Sequence, residues 1–165
     1  QRQMCIRDCY QNYAPGTKAR SEHLKDEKNL LADLARGYLP QVAFYKPVGI
    51  ETQHPGYSSL LAADQKVETI VEAVRHSPVW KDTVIVVTYD EYGGFWDHVP
   101  PPVIDAYGPG TRIPAIIISP LARKAYIDHT RYDTTSILKL IENRYTLKPL
   151  TDRDARATGL TGAFE

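Results

Sequence analysis

Thr83-Val84-Ile85-Val86-Val87-Thr88-Tyr89-Asp90-Glu91-Tyr92-Gly93-Gly94 is the stretch on which the fold turns. Its first half is an unbroken β-branched run. Such a run, with no polar alternation, suits a strand covered on both faces, as in a parallel sheet. It stops at two adjacent carboxylates and a glycine pair. A second run of the same kind spans residues 113–119. Between the two lie Gly93, Gly94, Pro100, Pro101, Pro102, Gly108, Pro109 and Gly110, so the connection is a long loop.

Upstream, Leu30, Leu31 and Leu34 fall on one helical face, with Asp26 as N-cap and Gly37 at the C′ position, which predicts a helix over residues 26–36. Val42 and Phe44 then predict a strand over residues 39–45, with Pro40 tolerated only at its start. After a turn-rich loop over residues 46–57, Leu60, Val67, Ile70, Val71 and Val74 mark a longer helix. It is capped by Ser58 or Ser59 and ends before Pro78. Downstream, Ile137, Leu140 and Ile141 predict a helix over residues 134–146, capped by Asp133 or Thr134. Helix and strand alternate, which is an α/β order.

The chain has 165 residues, enough for one core, and its 20 basic side chains balance 20 acidic ones. That balance gives no argument for a nucleic-acid partner or an anionic membrane. The longest apolar runs are far too short for a transmembrane segment. Cys5 and Cys9 have no further Cys or His at ligand spacing, so they make no metal site. Residues 1–8 carry no apolar period and read as a non-native leader, leaving residues 9–165 as the folded portion.

In open α/β sheets functional groups gather beyond the carboxyl ends of strands, which directs attention to Asp90 and Glu91. Adjacent carboxylates at the end of a buried strand are costly to desolvate unless a cation or several donors meet them. A hard divalent metal ion, identity unknown, answers that cost, because carboxylate oxygen is its preferred ligand. The plainer reading is a turn at Asp90 with Glu91 in solvent; the position between a buried strand and a Gly-Gly pair favours metal or phosphate chemistry.

Other residues carry two readings each. His54, in a loop, can meet a phosphoryl oxygen or protonate a leaving alkoxide, or it can be a surface histidine. His98 belongs to the site or pairs with Asp97 to pin the long loop. Tyr92, Phe95 and Trp96 pack as core beneath the glycine turn, or form a wall for a quaternary ammonium group. Arg112 has the fork for phosphate, but it precedes its strand, at what would be the wrong end of a parallel sheet. It therefore reads as a structural ion pair. Asp133-Thr134-Thr135-Ser136 reads as a helix cap rather than an anion cradle. His23, His76 and His129 read as structural.

The stretch from Thr88 through Asp97-His98-Val99 to Pro102 resembles the signature of the bacterial phosphoesterase family, which unites acid phosphatases and phosphocholine-preferring phospholipases C. Leu39-Pro40-Gln41-Val42, His54-Pro55-Gly56-Tyr57-Ser58, Arg112-Ile113-Pro114 with Ser119-Pro120, and Tyr132 to Leu138 fit the same pattern in order. The resemblance implies an α/β fold that is part of an alkaline-phosphatase-like sandwich, with a mostly parallel central sheet flanked by helices. It makes residues 9–165 the C-terminal portion of a phosphoesterase domain.

By the same resemblance Asp90 and Glu91 hold the metal, and His54 and His98 serve catalysis. The other ligands, from a Glu-Asn motif, and a hydroxyl nucleophile come from upstream segments that this chain does not contain. The implied activity is metal-dependent hydrolysis of a phosphate ester, with the acid phosphatase type favoured by the His54 and Tyr132 motifs. The partner is then a phosphate-ester small molecule or a phospholipid head group, and export to the periplasm or medium is expected. A phospholipase C acting on phosphodiesters, and a non-catalytic metal- or anion-binding module, are the alternatives.

Overall fold

The computed structural model describes residues 10–164, so the expected leader at residues 1–8 and the reading of Cys5 and Cys9 lie outside the described residues. Two units divide between Val79 and Trp80. The described part of the first contains helices α1 (Lys18–His23), α2 (Glu27–Ala35) and α3 (Leu60–Arg75).

The start of α2 follows from Asp26 and Asn29, which cap it reciprocally. Its end follows from Gly37. That residue has φ +70, the Gly37 N–H donates to the Leu34 carbonyl at 3.0 Å, and the Tyr38 N–H reaches the Asp33 carbonyl at 2.9 Å. The backbone requires glycine there, and a Cβ would also press on the Pro78 ring at 3.2 Å. Ser59 caps α3, its hydroxyl accepting from the Ala62 N–H at 3.3 Å. α2 packs on α3, and Leu34, Ala63 and Val74 are buried.

Residues 39–45, predicted as a strand, bend at Gln41 and Val42 and lie in no sheet. A strand needs a ladder partner, and the two strands formed among the described residues pair with each other. Pro40 removes a further donor from the segment.

The second unit holds those strands, β1 (Ile85–Thr88) and β2 (Ala115–Ile118). They are antiparallel, with Ile85 opposite Ile118 and Thr88 opposite Ala115. The chain is α/β as read, but these residues do not form the expected parallel sheet. The physical reason lies in coverage: β1 is half-buried throughout and the first two residues of β2 are exposed, so the runs are not sealed on both faces. Side chains extend the ribbon at both ends. Thr88 Oγ1 donates to the Pro114 carbonyl at 3.0 Å, and Ser119 Oγ donates to the Thr83 carbonyl at 2.8 Å.

Helices α4 (Thr135–Tyr145) and α5 (Asp152–Arg156) complete the unit and pack on each other. α5 begins at a reciprocal cap between Thr151 and Asp154. Among the described residues no helix is long and apolar enough to cross a membrane.

Candidate functional site

The site grows from the end of β1. Asp90 and Glu91 follow the strand directly after Tyr89, and the chain then turns through Gly93 and Gly94, with φ +68 and +76. The glycines supply a left-handed backbone, which other residues adopt only at a cost. A Cβ on Gly94 would meet nothing within 4 Å, so at that position conformation rather than close approach requires glycine. The turn is tied internally, since the Gly93 N–H donates to Glu91 Oε2 at 2.8 Å.

Both carboxylates are exposed, against the expectation that they end a buried strand. Water therefore meets much of their solvation need, and the desolvation argument for a cation loses force. What remains is donor chemistry: two carboxylates adjacent in sequence, held on a tight turn, offer the hard oxygens that a divalent cation prefers. The fit is partial. Among the described residues no third His, Cys, Asp or Glu joins them in a metal-holding group.

Arg112 stands in a different relation to this loop than the sequence suggested. Because β2 runs antiparallel to β1, the start of β2 lies beside the end of β1, and Arg112 leads into the same end of the ribbon that Asp90 leaves. The expected structural ion pair forms with Asp97: Nε donates to Oδ2 and Nη2 to Oδ1, each at 2.8 Å. The Val99 N–H adds a third bond to Asp97 Oδ1 at 3.0 Å. The Arg112 guanidinium, helped by that amide, holds the Asp97 carboxyl well below the usual carboxylate range.

His98 sits beside this pair, with Nδ1 3.8 Å from Asp97 Oδ1, too far for a hydrogen bond, and its ring in solvent. Asp97 thus pins the loop through Arg112, not through His98. Phe95 and Trp96 are 61% and 85% exposed, and Tyr92 is exposed as well, so the expected core packing of this cluster does not occur among the described residues. The Trp96 ring lies 6.2 Å from that of His98.

His54 belongs to the first unit, Asp90 and Glu91 to the second. It opens a turn in which Pro55 precedes Gly56 at φ +89. His54 Nδ1 lies 2.7 Å from the Pro55 carbonyl, and a carbonyl only accepts, so Nδ1 is the donor there and Nε2 is the nitrogen left to meet another group. The ring stacks on Tyr57 at 4.4 Å. Its loop is anchored below by Lys66, which bridges Glu27 at 3.0 Å and Glu51 at 3.2 Å, while the Tyr45 hydroxyl donates to Glu27.

At the start of α4, Asp133 Oδ1 accepts from the Thr135 amide at 2.7 Å, and the Asp133 amide donates to Ser136 Oγ at 3.1 Å. These groups satisfy the helix start itself, as the cap reading expects. His23 meets Tyr13 edge-on and His76 Nδ1 meets the Glu72 carbonyl at 2.8 Å. Sequence reasoning passed over the buried pair Glu142 and Asp154, and the signal was there, since Thr151-Asp152-Arg153-Asp154 has capping-box spacing.

Comparison with known proteins places these motifs. The model of the phosphoesterase family matches residues 2–148. Phospholipase C A of Mycobacterium tuberculosis is 32% identical over 155 residues, covering 79% of this chain and 30% of the relative. Non-specific phospholipase C1 of Arabidopsis thaliana is 34% identical over 139 residues, 68% of this chain and 25% of its own length. Non-hemolytic phospholipase C of Pseudomonas aeruginosa is 27% identical over 170 residues, 82% of this chain and 25% of the relative. The chain spans under a third of the length of these relatives.

Proposed function

This chain belongs to the phosphoesterase family, and we propose that it forms the C-terminal part of a metal-dependent hydrolase of phosphate esters in which Asp90 and Glu91 are metal ligands. The observation that carries this reading is the carboxylate pair on a double-glycine turn at the end of β1, inside the stretch that matches the family. A phosphomonoester is the favoured substrate, from the His54 and Tyr132 motifs. The remaining strands of a mostly parallel sandwich, the other ligands and the hydroxyl nucleophile would come from the rest of the full-length protein. Export of that protein is part of the same reading.

When bound, the metal ion would favour the ionised nucleophile and stabilise charge on the transferring group. The chain's own residues have separate tasks. Asp90 and Glu91 supply oxygen donors. His54, whose Nδ1 is engaged by the Pro55 carbonyl, has Nε2 left to exchange a proton with the leaving alkoxide or to meet a phosphoryl oxygen. His98, exposed beside Asp97, is the second candidate for such a proton.

The phospholipase C alternative has an observation in its favour. Tyr92, Phe95 and Trp96 stand exposed next to the carboxylates, where aromatic faces can attract a choline head group. A non-catalytic metal- or anion-binding role is the third reading. Assay of the full-length protein on a chromogenic phosphomonoester and on phosphatidylcholine, each with and without a chelator, separates all three. Chelator-sensitive turnover of the monoester supports the favoured reading, turnover of the lipid alone supports the alternative, and no turnover of either leaves the binding module.

A further inference from the structure

We propose that Glu142 and Asp154 form a proton-operated latch: one proton held between the two carboxyls docks α5 on α4, and its loss frees α5 together with the grip that Arg153 keeps on the β1–β2 connection. The inference concerns regulation and stands apart from the metal reading above.

Both side chains are buried where α5 packs on α4, and they lie against each other. Two ionised carboxylates in such a place repel each other and lose their solvation. Hydrogen bonds decide which one keeps its charge. Asp154 Oδ1 accepts from the Thr151 amide at 2.8 Å and from the Thr151 hydroxyl, and Oδ2 accepts from the Leu150 amide at 2.7 Å. Three donors leave one lone pair of the Asp154 carboxylate open. Glu142 has no donor at either oxygen among the described residues, so it is the acid that carries the proton and offers it to that lone pair.

No cation among the described residues takes the proton's place between the carboxyls. On α4, the charge of Lys139 reaches Glu142, but its ammonium donates to the Ala155 carbonyl at 3.1 Å. On α5, Arg153 is engaged by Asp105 and Asp133, while Asp152 and Arg156 lie exposed beside each other. The 3-10 turn Leu160–Ala163, which also packs on α4, carries no titratable side chain.

The latch acts on a weakly held element. α5 has five residues and one capping box, and a helix that short keeps its shape through tertiary contact. Its Arg153 reaches across 48 residues of chain to Asp105, with Nη1 3.3 and 3.2 Å from the two carboxylate oxygens. Nη2 lies 3.6 Å from Asp133 Oδ2 at the start of α4. Asp105 belongs to the connection between β1 and β2, so release of α5 loosens that connection from α4.

With α5 docked, burial and Asp154 keep Glu142 protonated above its ordinary value of 4.5; with α5 free it ionises at that value. Asp154, held low, is ionised in both states above that pH, so undocking releases one proton. α5 is therefore docked in acid and comes free as pH rises, by at most about tenfold per pH unit, the limit for a single proton.

The test is nuclear magnetic resonance on the full 165-residue chain over a pH series. The Glu142 carboxyl carbon reports its titration. Amide protection factors at Ala155 and Ala157 report the docking of α5, and protection at Tyr107, whose amide donates to Asp105 Oδ1 at 2.8 Å, reports the connection. In the wild-type chain the Glu142 midpoint is expected above 4.5. Protection at both alanines and at Tyr107 should fall from 4.5 up to that midpoint and level off beyond it, while β1 amides hold steady. Glu142→Gln offers Asp154 an N–H at every pH, so its protection should stay level. A Glu142 midpoint at or below 4.5, wild-type protection that stays level, or an equal fall in the variant overturns the latch. The first two outcomes need no variant to fold. A fall at the alanines without one at Tyr107 overturns the link through Arg153.

Discussion

Glu142 of α4 and Asp154 of α5 are buried together, 4% and 2% exposed, and the structure gives them opposite protonation preferences. Burial pushes the Glu142 carboxyl up, reinforced by the neighbouring Asp154 and only partly relieved by Lys139. Asp154 is held well below the usual range by the Thr151 hydroxyl and by the Leu150 amide at 2.7 Å. Among the described residues neither oxygen of Glu142 finds a hydrogen-bond donor, as suits a group that keeps its own proton.

A pH dependence of stability follows, with its sign fixed by those directions. A carboxyl raised on folding contributes stability that is fully present below its ordinary value of 4.5 and is lost as pH rises through its folded value. A carboxyl lowered on folding loses its contribution as pH falls from the ordinary 3.8 toward its folded value. The second unit should therefore be most stable in mildly acidic solution. Glu142→Gln, which cannot ionise, should flatten the decline that sets in as pH rises above 4.5. Thermal midpoints of both proteins over a series of pH values above that point check this, and equal slopes would contradict it.

Asp97 follows the second of those rules. Its contribution is present at neutral pH and fades as acid protonates it in the unfolded chain but not in the folded one. In Arg112→Ala the acid limb of the stability curve should become shallower, because the guanidinium that lowers the Asp97 value is gone. Equilibrium unfolding at a series of acidic pH values reads the change directly.

Leu34 supplies the first unit's deepest large apolar side chain, at 2% exposure. Leu34→Ala should cost about 2–5 kcal/mol, since the atoms lost leave a cavity that the packed helices cannot fully close. Only four hydrophobic residues are buried among the described residues, so that loss is large relative to what holds the chain together. The urea midpoint measured by far-ultraviolet circular dichroism should fall accordingly.

Gly37→Ala tests the end of α2. A left-handed backbone costs an L-residue about 1–2 kcal/mol, and the added methyl must also displace the Pro78 ring. The expected loss is at least that size. A smaller one would mean that the helix end can shift to relieve both.

Much of this was readable in the sequence where the cause is local. Asp26 and Gly37 bound α2, Ser59 starts α3, and the two β-branched runs contain β1 and β2, because caps, glycine conformations and β-branched side chains act within a few residues. Strand direction was not readable. An unbroken run such as residues 83–88 says that a strand forms and leaves open which way its neighbour runs, and the parallel assumption put Arg112 at the wrong end. Residues 39–45 have strand-forming side chains, yet pairing depends on a partner that local sequence cannot supply. α1 and α5 were missed because short polar helices have no apolar period, although Thr17 and Thr151 mark their starts. At the site, chemistry identified Asp90, Glu91, His54 and His98 as candidates. Exposure of the carboxylates was not foreseen, since it follows from the coverage of β1 rather than from its composition.

Asp90→Ala in the full-length protein tests the central claim most directly, with hydrolysis of a chromogenic phosphomonoester measured under added divalent metal. If Asp90 holds the metal, turnover should fall roughly a hundredfold or more, as when one preorganised electrostatic group is removed from an active site. The chain by itself should show negligible turnover, because correct placement of nucleophile and metal can contribute about 7–11 kcal/mol and only part of that arrangement lies within it. Wild-type turnover in the Asp90→Ala protein would contradict the assignment.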